Sequence, residues 1–288
     1  MTKPEVTAFF DEGTKTVSYV VTDPSTKACA VVDSLLDYEP ASGRTHTTSV
    51  DVLIAFVREA ELRVEWIIDT HVHADHLTAA PYVKAQLGGR TAIGEHIVEV
   101  QQVFAEVFNE GQSFHTNGAQ FDHLFKDGEE YLVGNIQARA IHTPGHTPAC
   151  MVHLMGDAAF VGDTLFMPDF GTARCDFPGG DARQLYQSIQ KIYQLPATTR
   201  LFTCHDYKAP GREEFAWEST VIEQMTNNVQ THQGISENEF VAMRDARDAK
   251  LGMPELIIPS VQVNMRAGNM PEPENNGKRY LKIPLNTL

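Results

Sequence analysis

Cysteine, positive charge and long apolar runs are all scarce in this chain. Only four cysteines, Cys29, Cys150, Cys175 and Cys204, stand among 288 residues, and no two form a C-x-x-C pair. That spacing argues against a thiolate zinc knuckle or a thioredoxin-type motif. Lys and Arg number 23 against 38 Asp and Glu, a formal net charge of -15. A general nucleic-acid binder needs a basic surface, so that class is disfavoured, and an anionic ligand would need a local basic pocket. No stretch approaches the ~20 apolar residues of a membrane span. The N-terminus, Met1 to Glu5, has neither the basic start nor the apolar run of a secretion signal. The expectation is therefore a cytoplasmic protein with reduced thiols, no membrane association and no nucleic-acid partner. Internal repeats and low-complexity tracts are absent as well.

What the chain does have is histidine in one place. Residues 70–76 read Thr-His-Val-His-Ala-Asp-His, directly after the apolar run 64–69. Neutral imidazole and carboxylate are the usual ligands of a borderline divalent metal. On an extended chain side chains at i and i+2 share a face, so His71 and His73 can converge on one ion, while Asp75 and His76 point to a neighbouring position. Three later positions repeat the logic of a short apolar run followed by a ligand in a loop: His146 after 131–141, Asp163 after 158–161, and His205 after 201–204. Loops at strand ends are where a rigid sheet aims side chains at one point. Together His71, His73, Asp75, His76, His146, Asp163 and His205 suffice for one metal site or two adjacent ones. His46, His96, His115, His123, His153 and His232 have no such companions and read as structural or solvent-facing, with His142 nearer the site. Cys150 and Cys204 read as small buried residues beside it.

Around these positions the pattern predicts strands at 16–21 and 28–33 forming an antiparallel pair, a polar loop at 37–48, and helices at 50–62, 79–87 and 98–108. Strands follow at 131–141, 150–155 and 158–161, then a helix capped by Asp181 and running to 193, and a strand at 201–204. Beyond a boundary near 207–211 two helices are expected, 213–230 and 237–251, the second opened by the Ser236/Glu239 capping box. The tail from Pro271 is rich in Pro, Asn and Lys.

The motif at 70–76, with His146 in Thr-Pro-Gly-His-Thr (143–147), Asp163 in Gly-Asp-Thr (162–164) and His205, resembles the metallo-β-lactamase superfamily over about residues 15–210. The resemblance implies an α/β (α+β) fold, an αββα sandwich of two mixed β-sheets flanked by helices with the metal at one edge. It also implies a catalytic domain at 1–210 and a C-terminal helical extension and tail at 211–288 packed on it. Arg174 to Asp181, Cys204 to Tyr207 and Asn264 to Pro271 look like the persulfide dioxygenase branch (ETHE1-like sulfur dioxygenases). That likeness implies one Fe(II) per chain, held by His71, His146 and Asp163. It makes His73, Asp75, His76 and His205 groups that hydrogen-bond what the iron carries. The substrates of the branch are glutathione persulfide (GSSH) and O2, and the products sulfite and glutathione. Glutathione bears carboxylates, so Arg174, Tyr207, Lys208 and Arg266 are the expected substrate-binding residues. Cys204 stands where some relatives carry a smaller residue, which leaves the native thiol carrier open. The main rival is a hydroxyacylglutathione hydrolase of the glyoxalase II type, with a Zn or mixed dinuclear site bridged by Asp163. A β-lactam hydrolase or a metal-dependent sensor is a weaker rival. Relatives are often dimers, and a homodimer is an open expectation.

Overall fold

The computed structural model describes residues 3–287. The chain begins with β1 (Glu5–Asp11), β2 (Thr16–Thr22), β3 (Ala28–Val32), β4 (Leu35–Glu39), β5 (Arg44–His46), α1 (Thr48–Glu59), β6 (Arg63–Ile68) and β7 (Leu77–Thr78). It continues with α2 (Ala80–Leu87), β8 (Arg90–Gly94), α3 (Ile97–Val107), β9 (His123–Phe125), β10 (Glu130–Val133), β11 (Ile136–His142), β12 (Met151–Met155) and β13 (Ala158–Gly162). It ends with α4 (Ala182–Tyr193), β14 (Arg200–Thr203), β15 (Glu218–Thr220), α5 (Val221–Asn227), α6 (Glu237–Asp248) and α7 (Ile257–Asn264).

Two six-stranded mixed sheets result, ordered β1-β2-β3-β6-β8-β9 and β10-β11-β12-β13-β14-β15, beside a small sheet β5-β4-β7. Alternation along the strands decides which face each residue serves. Tyr19, Val21, Ala30, Val32, Trp66 and Ile68 of the first sheet meet Tyr131, Ala138, Met155, Phe160 and Phe202 of the second in one buried layer. The opposite face of the first sheet (Val20, Cys29, Val31, Ile67) is covered by Val50, Leu53, Ile54 and Val57 of α1 and Val83 of α2. The outer face of the second (Val152, Ala159, Val161, Leu201) is covered by Leu185, Ile189 and Ile192 of α4. This is the expected αββα sandwich, a sheet pair that hides its apolar outer faces under helices. Asp181 caps α4, accepting from the Gln184 N–H at 2.7 Å, and the Ser236/Glu239 capping box opens α6.

Two expectations are corrected. Residues 37–48 are not simply a loop: β4 and β5 pair there as a hairpin, turning at Gly43 with φ +67°. β5 is exposed on both faces, so no apolar alternation announces it. Residues 213–230 are not one helix either. β15 pairs antiparallel with β14, and Thr220 then caps α5 through its own box with Glu223. No helix among the described residues is long and apolar enough to cross a membrane.

Candidate metal centre

Four strand ends converge at one edge of the sandwich. Residues 70–76 follow β6, His146 follows β11, Asp163 follows β13 and His205 follows β14. Two glycines set the approach. Gly145 has φ +138°, and a Cβ there would lie 2.3 Å from the Leu185 backbone of α4. Gly162 has φ +50°, and a Cβ would lie 2.6 Å from Thr70 Oγ1. A side chain at 145 would push the His146 loop off α4, and one at 162 would push the Asp163 loop away from Thr70.

His71, His146 and Asp163 form one compact group, their donor atoms all within 4.8 Å of one another. Asp163 Oδ2 lies 3.9 Å from His71 Nε2 and 3.7 Å from His146 Nε2. His73, Asp75, His76 and His205 form a second group on the same criterion. Asp163 faces both, with Oδ1 3.5 Å from His205 Nε2.

Each imidazole is oriented from behind. The His146 Nδ1–H donates to the Arg174 carbonyl at 2.7 Å, leaving Nε2 to the site. Asp33, at the end of β3, accepts the His73 Nε2–H at 2.9 Å, the Thr70 N–H at 2.7 Å and the Thr70 hydroxyl at 2.9 Å. With its proton turned toward Asp33, the Thr70 oxygen accepts from His71 Nδ1 at 3.1 Å. One buried carboxylate thus sets the tautomers of both His71 and His73. Asn264, at the end of α7, donates to the carbonyls of His73 and His76 and accepts the Thr78 N–H, all at 2.8 Å.

These residues fit a bound divalent cation. Buried polar atoms are nearly always paired. Yet His71 Nε2, His73 Nδ1, Asp75 Oδ2, His76 Nε2, Asp163 Oδ1 and His205 Nε2 are all buried without a hydrogen-bond partner, and all point inward. Burial, followed by the neighbouring imidazoles, holds His71 well below the ordinary histidine range, and burial brings His73 down to about 4. Burial, with Asp75 and Asp33 nearby and His205 opposing, pushes the Asp163 carboxyl up to about 7. Burial would raise Asp33 too, but His73 and the Thr70 N–H bring it below the usual carboxylate range. Neutral imidazoles beside carboxylates that a divalent ion would keep ionised are a metal-ready donor set. Asp33→Asn should weaken metal affinity about 10- to 100-fold, because an amide cannot accept from Thr70 and His73 as the carboxylate does. A chelator-competition titration measures this; an unchanged dissociation constant would exclude the orienting role.

A cavity of about 500 Å³ opens onto Asp75, His146 and Asp163. Of the expected substrate-binding residues, Arg174 and Tyr207 line it, and Tyr207 stacks on His205 with centroids 5.6 Å apart. Arg174, however, is engaged by Asp176 and the Gly252 carbonyl. Lys208 and Arg266 are not brought to this cavity. Lys208 Nζ sits 3.9 Å over the Phe215 ring, and Arg266 pairs with Glu110 beside Phe114 at another cavity. His142 is turned away as well, bonded to the Pro148 carbonyl and stacked on His96. Cys204 is buried, its sulfur within 4.8 Å of donor atoms of Asp163 and His205. No sequence pattern singles out Asp33. Its signal is the parallel pairing of Val32 with Ile68, which ends β3 and β6 together and puts Asp33 beside residues 69–70.

Comparison with known proteins agrees with this geometry. Residues 12–205 match the metallo-beta-lactamase superfamily. A probable metallo-hydrolase of Burkholderia pseudomallei is 55% identical over 98% of this chain and 99% of its own length. Glyoxylase B2 of Dictyostelium discoideum is 46% identical over 99% and 98%. The mitochondrial persulfide dioxygenase ETHE1 of Bos taurus is 29% identical over 90% and 87%. Among solved structures, ETHE1 from Myxococcus xanthus superposes with a TM-score of 0.72 at 27% identity, covering 92% of this chain and all of that one.

Proposed function

This chain belongs to the metallo-beta-lactamase superfamily, and on that premise we propose that it is a persulfide dioxygenase holding a single non-haem Fe(II). In this reading glutathione persulfide, O2 and water give glutathione and sulfite. The observation that carries it is the separate grouping of His71, His146 and Asp163. Two histidines and one carboxylate on one face of an iron leave open positions for two further ligands. Bound there, Fe(II) would supply the redox chemistry that brings O2 and sulfur together. The polypeptide does the rest. His146 is held with its proton on the Arg174 side, so its free nitrogen faces the centre. Phe166, Phe170 and Tyr207 form an aromatic wall over the donors, which sheds water and directs the sulfur end of a thiol inward. The likeness to the two ETHE1 proteins supports this reading over most of the chain.

A second reading has its own support. The unpartnered atoms of His73, Asp75, His76 and His205, with Asp163 between the two groups, suit a dinuclear site. Such a site would activate a hydroxide for thioester hydrolysis. The names of the Burkholderia and Dictyostelium relatives lean the same way. Anaerobic purification followed by elemental analysis and oxygen-electrode assays separates the two. The dioxygenase reading expects one iron per chain, O2 uptake with glutathione persulfide, and no cleavage of lactoylglutathione. Two metals per chain with thioester cleavage and no oxygen uptake would replace it with the hydrolase.

A further inference from the structure

Each donor group of the metal centre is braced from behind by a carboxylate and threonine hydroxyls, and the two braces share one logic. For the first group, Asp33 takes the Thr70 hydroxyl proton, and the freed Thr70 oxygen faces His71 Nδ1. For the second group the brace starts at the end of β1. Asp11 Oδ2 accepts the Thr14 N–H at 2.7 Å and the Thr14 hydroxyl at 2.8 Å. Thr14 has one hydroxyl proton to give, so its oxygen is left to accept from the Thr16 hydroxyl, 2.9 Å away. The Thr16 oxygen then keeps its lone pairs for what lies beyond it. His76 Nδ1 is 3.3 Å from that oxygen and His205 Nδ1 is 3.4 Å from it.

Thr16 and both rings are buried. The backbone fixes their approach: Thr16 and His205 form an isolated antiparallel bridge, and the Val17 N–H donates to the Cys204 carbonyl at 2.7 Å. Each ring has one further acceptor at its back. The Lys15 carbonyl is 3.3 Å from His205 Nδ1, and Asp75 Oδ1 is 3.4 Å from His76 Nδ1. A carbonyl and a carboxylate only accept, so both Nδ1 atoms carry hydrogen. Nε2 is then the inward nitrogen of each ring, and both Nε2 atoms are buried without a hydrogen-bond partner among the described residues. The Thr16 oxygen is the contact the two rings share.

We infer that Thr16 is the positioning residue of the second donor group. Its oxygen, freed by the Asp11–Thr14 column, holds His76 and His205 with Nδ1–H turned back and Nε2 turned into the centre. The turn between β1 and β2 is thereby part of the metal centre, although it lies far from every donor in sequence. The inference rests on the metal-centre reading and not on which reaction runs there. Inward Nε2 atoms serve equally to hold a second cation or to accept hydrogen bonds from what a single one carries.

The test reads the rings and the metal separately. Full-length protein labelled with 15N at histidine and loaded with zinc gives the Nδ1–H signals of His76, His205 and His146. Thr16→Val keeps the branched shape and removes the hydroxyl. It should shift the His76 and His205 signals, leave the His146 signal in place, and weaken zinc held by the second group about tenfold in a chelator competition. Thr16→Ser restores the hydroxyl and should return both readouts to those of the parent. Asp11→Ala, at the outer end of the column, should act in the same direction as Thr16→Val but by less. Where one zinc binds per chain, the Nδ1–H signals decide alone. Unmoved His76 and His205 signals in Thr16→Val would overturn the assignment. So would a Thr16→Ser protein that behaves like the valine variant, or an equal loss of zinc from both groups. If the signals move as expected while the parent shows no persulfide-dependent oxygen uptake, the Thr16 contact stands and the dioxygenase reading falls.

Discussion

Under the proposed dioxygenase function, His146→Ala should lower persulfide-dependent oxygen uptake by at least about a thousandfold while the protein stays folded. A metal at such a site contributes several kcal/mol to the reaction, and each 1.36 kcal/mol is tenfold in rate. His146 is one of three donors in the compact group, so its loss leaves only His71 and Asp163. Structurally the change is mild. His146 sits in a loop, and the bond to the Arg174 carbonyl is the one hydrogen bond its side chain makes among the described residues. A single hydrogen bond contributes about 1 kcal/mol net. Iron content, oxygen uptake and circular dichroism on one preparation decide the matter. Uptake at the unaltered rate with a native spectrum would eliminate His146 as a metal donor.

Arg244→Ala should cost roughly 3–5 kcal/mol of stability, expected as a fall of roughly 10 °C in melting temperature. Arg244 is among the largest fully buried side chains. Its Nη2 donates to Asp248 Oδ1 at 2.6 Å and its Nη1 to the Thr172 carbonyl at 3.2 Å. Asp248 in turn accepts the Cys175 N–H at 2.8 Å. Removing the cation strands a buried carboxylate and frees residues 172–175 together. Arg174 lies inside that stretch, and its carbonyl orients His146. The same variant should therefore loosen the metal about 10- to 100-fold, as disturbed ligand supports commonly do. Arg244→Lys keeps the charge but not the planar fork, so it should recover only part of both losses. A melting temperature within a degree or two of the parent would show that the pair carries no such strain.

How much of this was legible depends on distance along the chain. The cluster at 70–76 is local, so residue types alone pointed to a metal, and the repeated pattern of strand then ligand brought in His146, Asp163 and His205. The sandwich followed from the resemblance those motifs carry, and strand patterns at 16–21 and 158–161 agree with β2 and β13. Supports were harder to see. Asp33 acts through a parallel pairing between β3 and β6, which periodicity cannot assign. Arg244 looks like any charged residue on a polar helix, and only tertiary contact reveals it as buried. Arg266 misled for the opposite reason: it lies two residues beyond Asn264, which does reach the histidine loop, but its guanidinium turns toward Glu110. Charge and proximity in sequence do not specify the direction of a long side chain.

The span between His73 and Asn264, 191 positions, has a consequence for biogenesis. A ribosome adding about 5–20 residues per second needs roughly 10–40 s to cover it. Throughout that interval the histidine-rich segment exists while its final fastening is still untranslated. A metal ion delivered after Asn264 has docked would meet a finished cradle; one delivered earlier would meet only half of one.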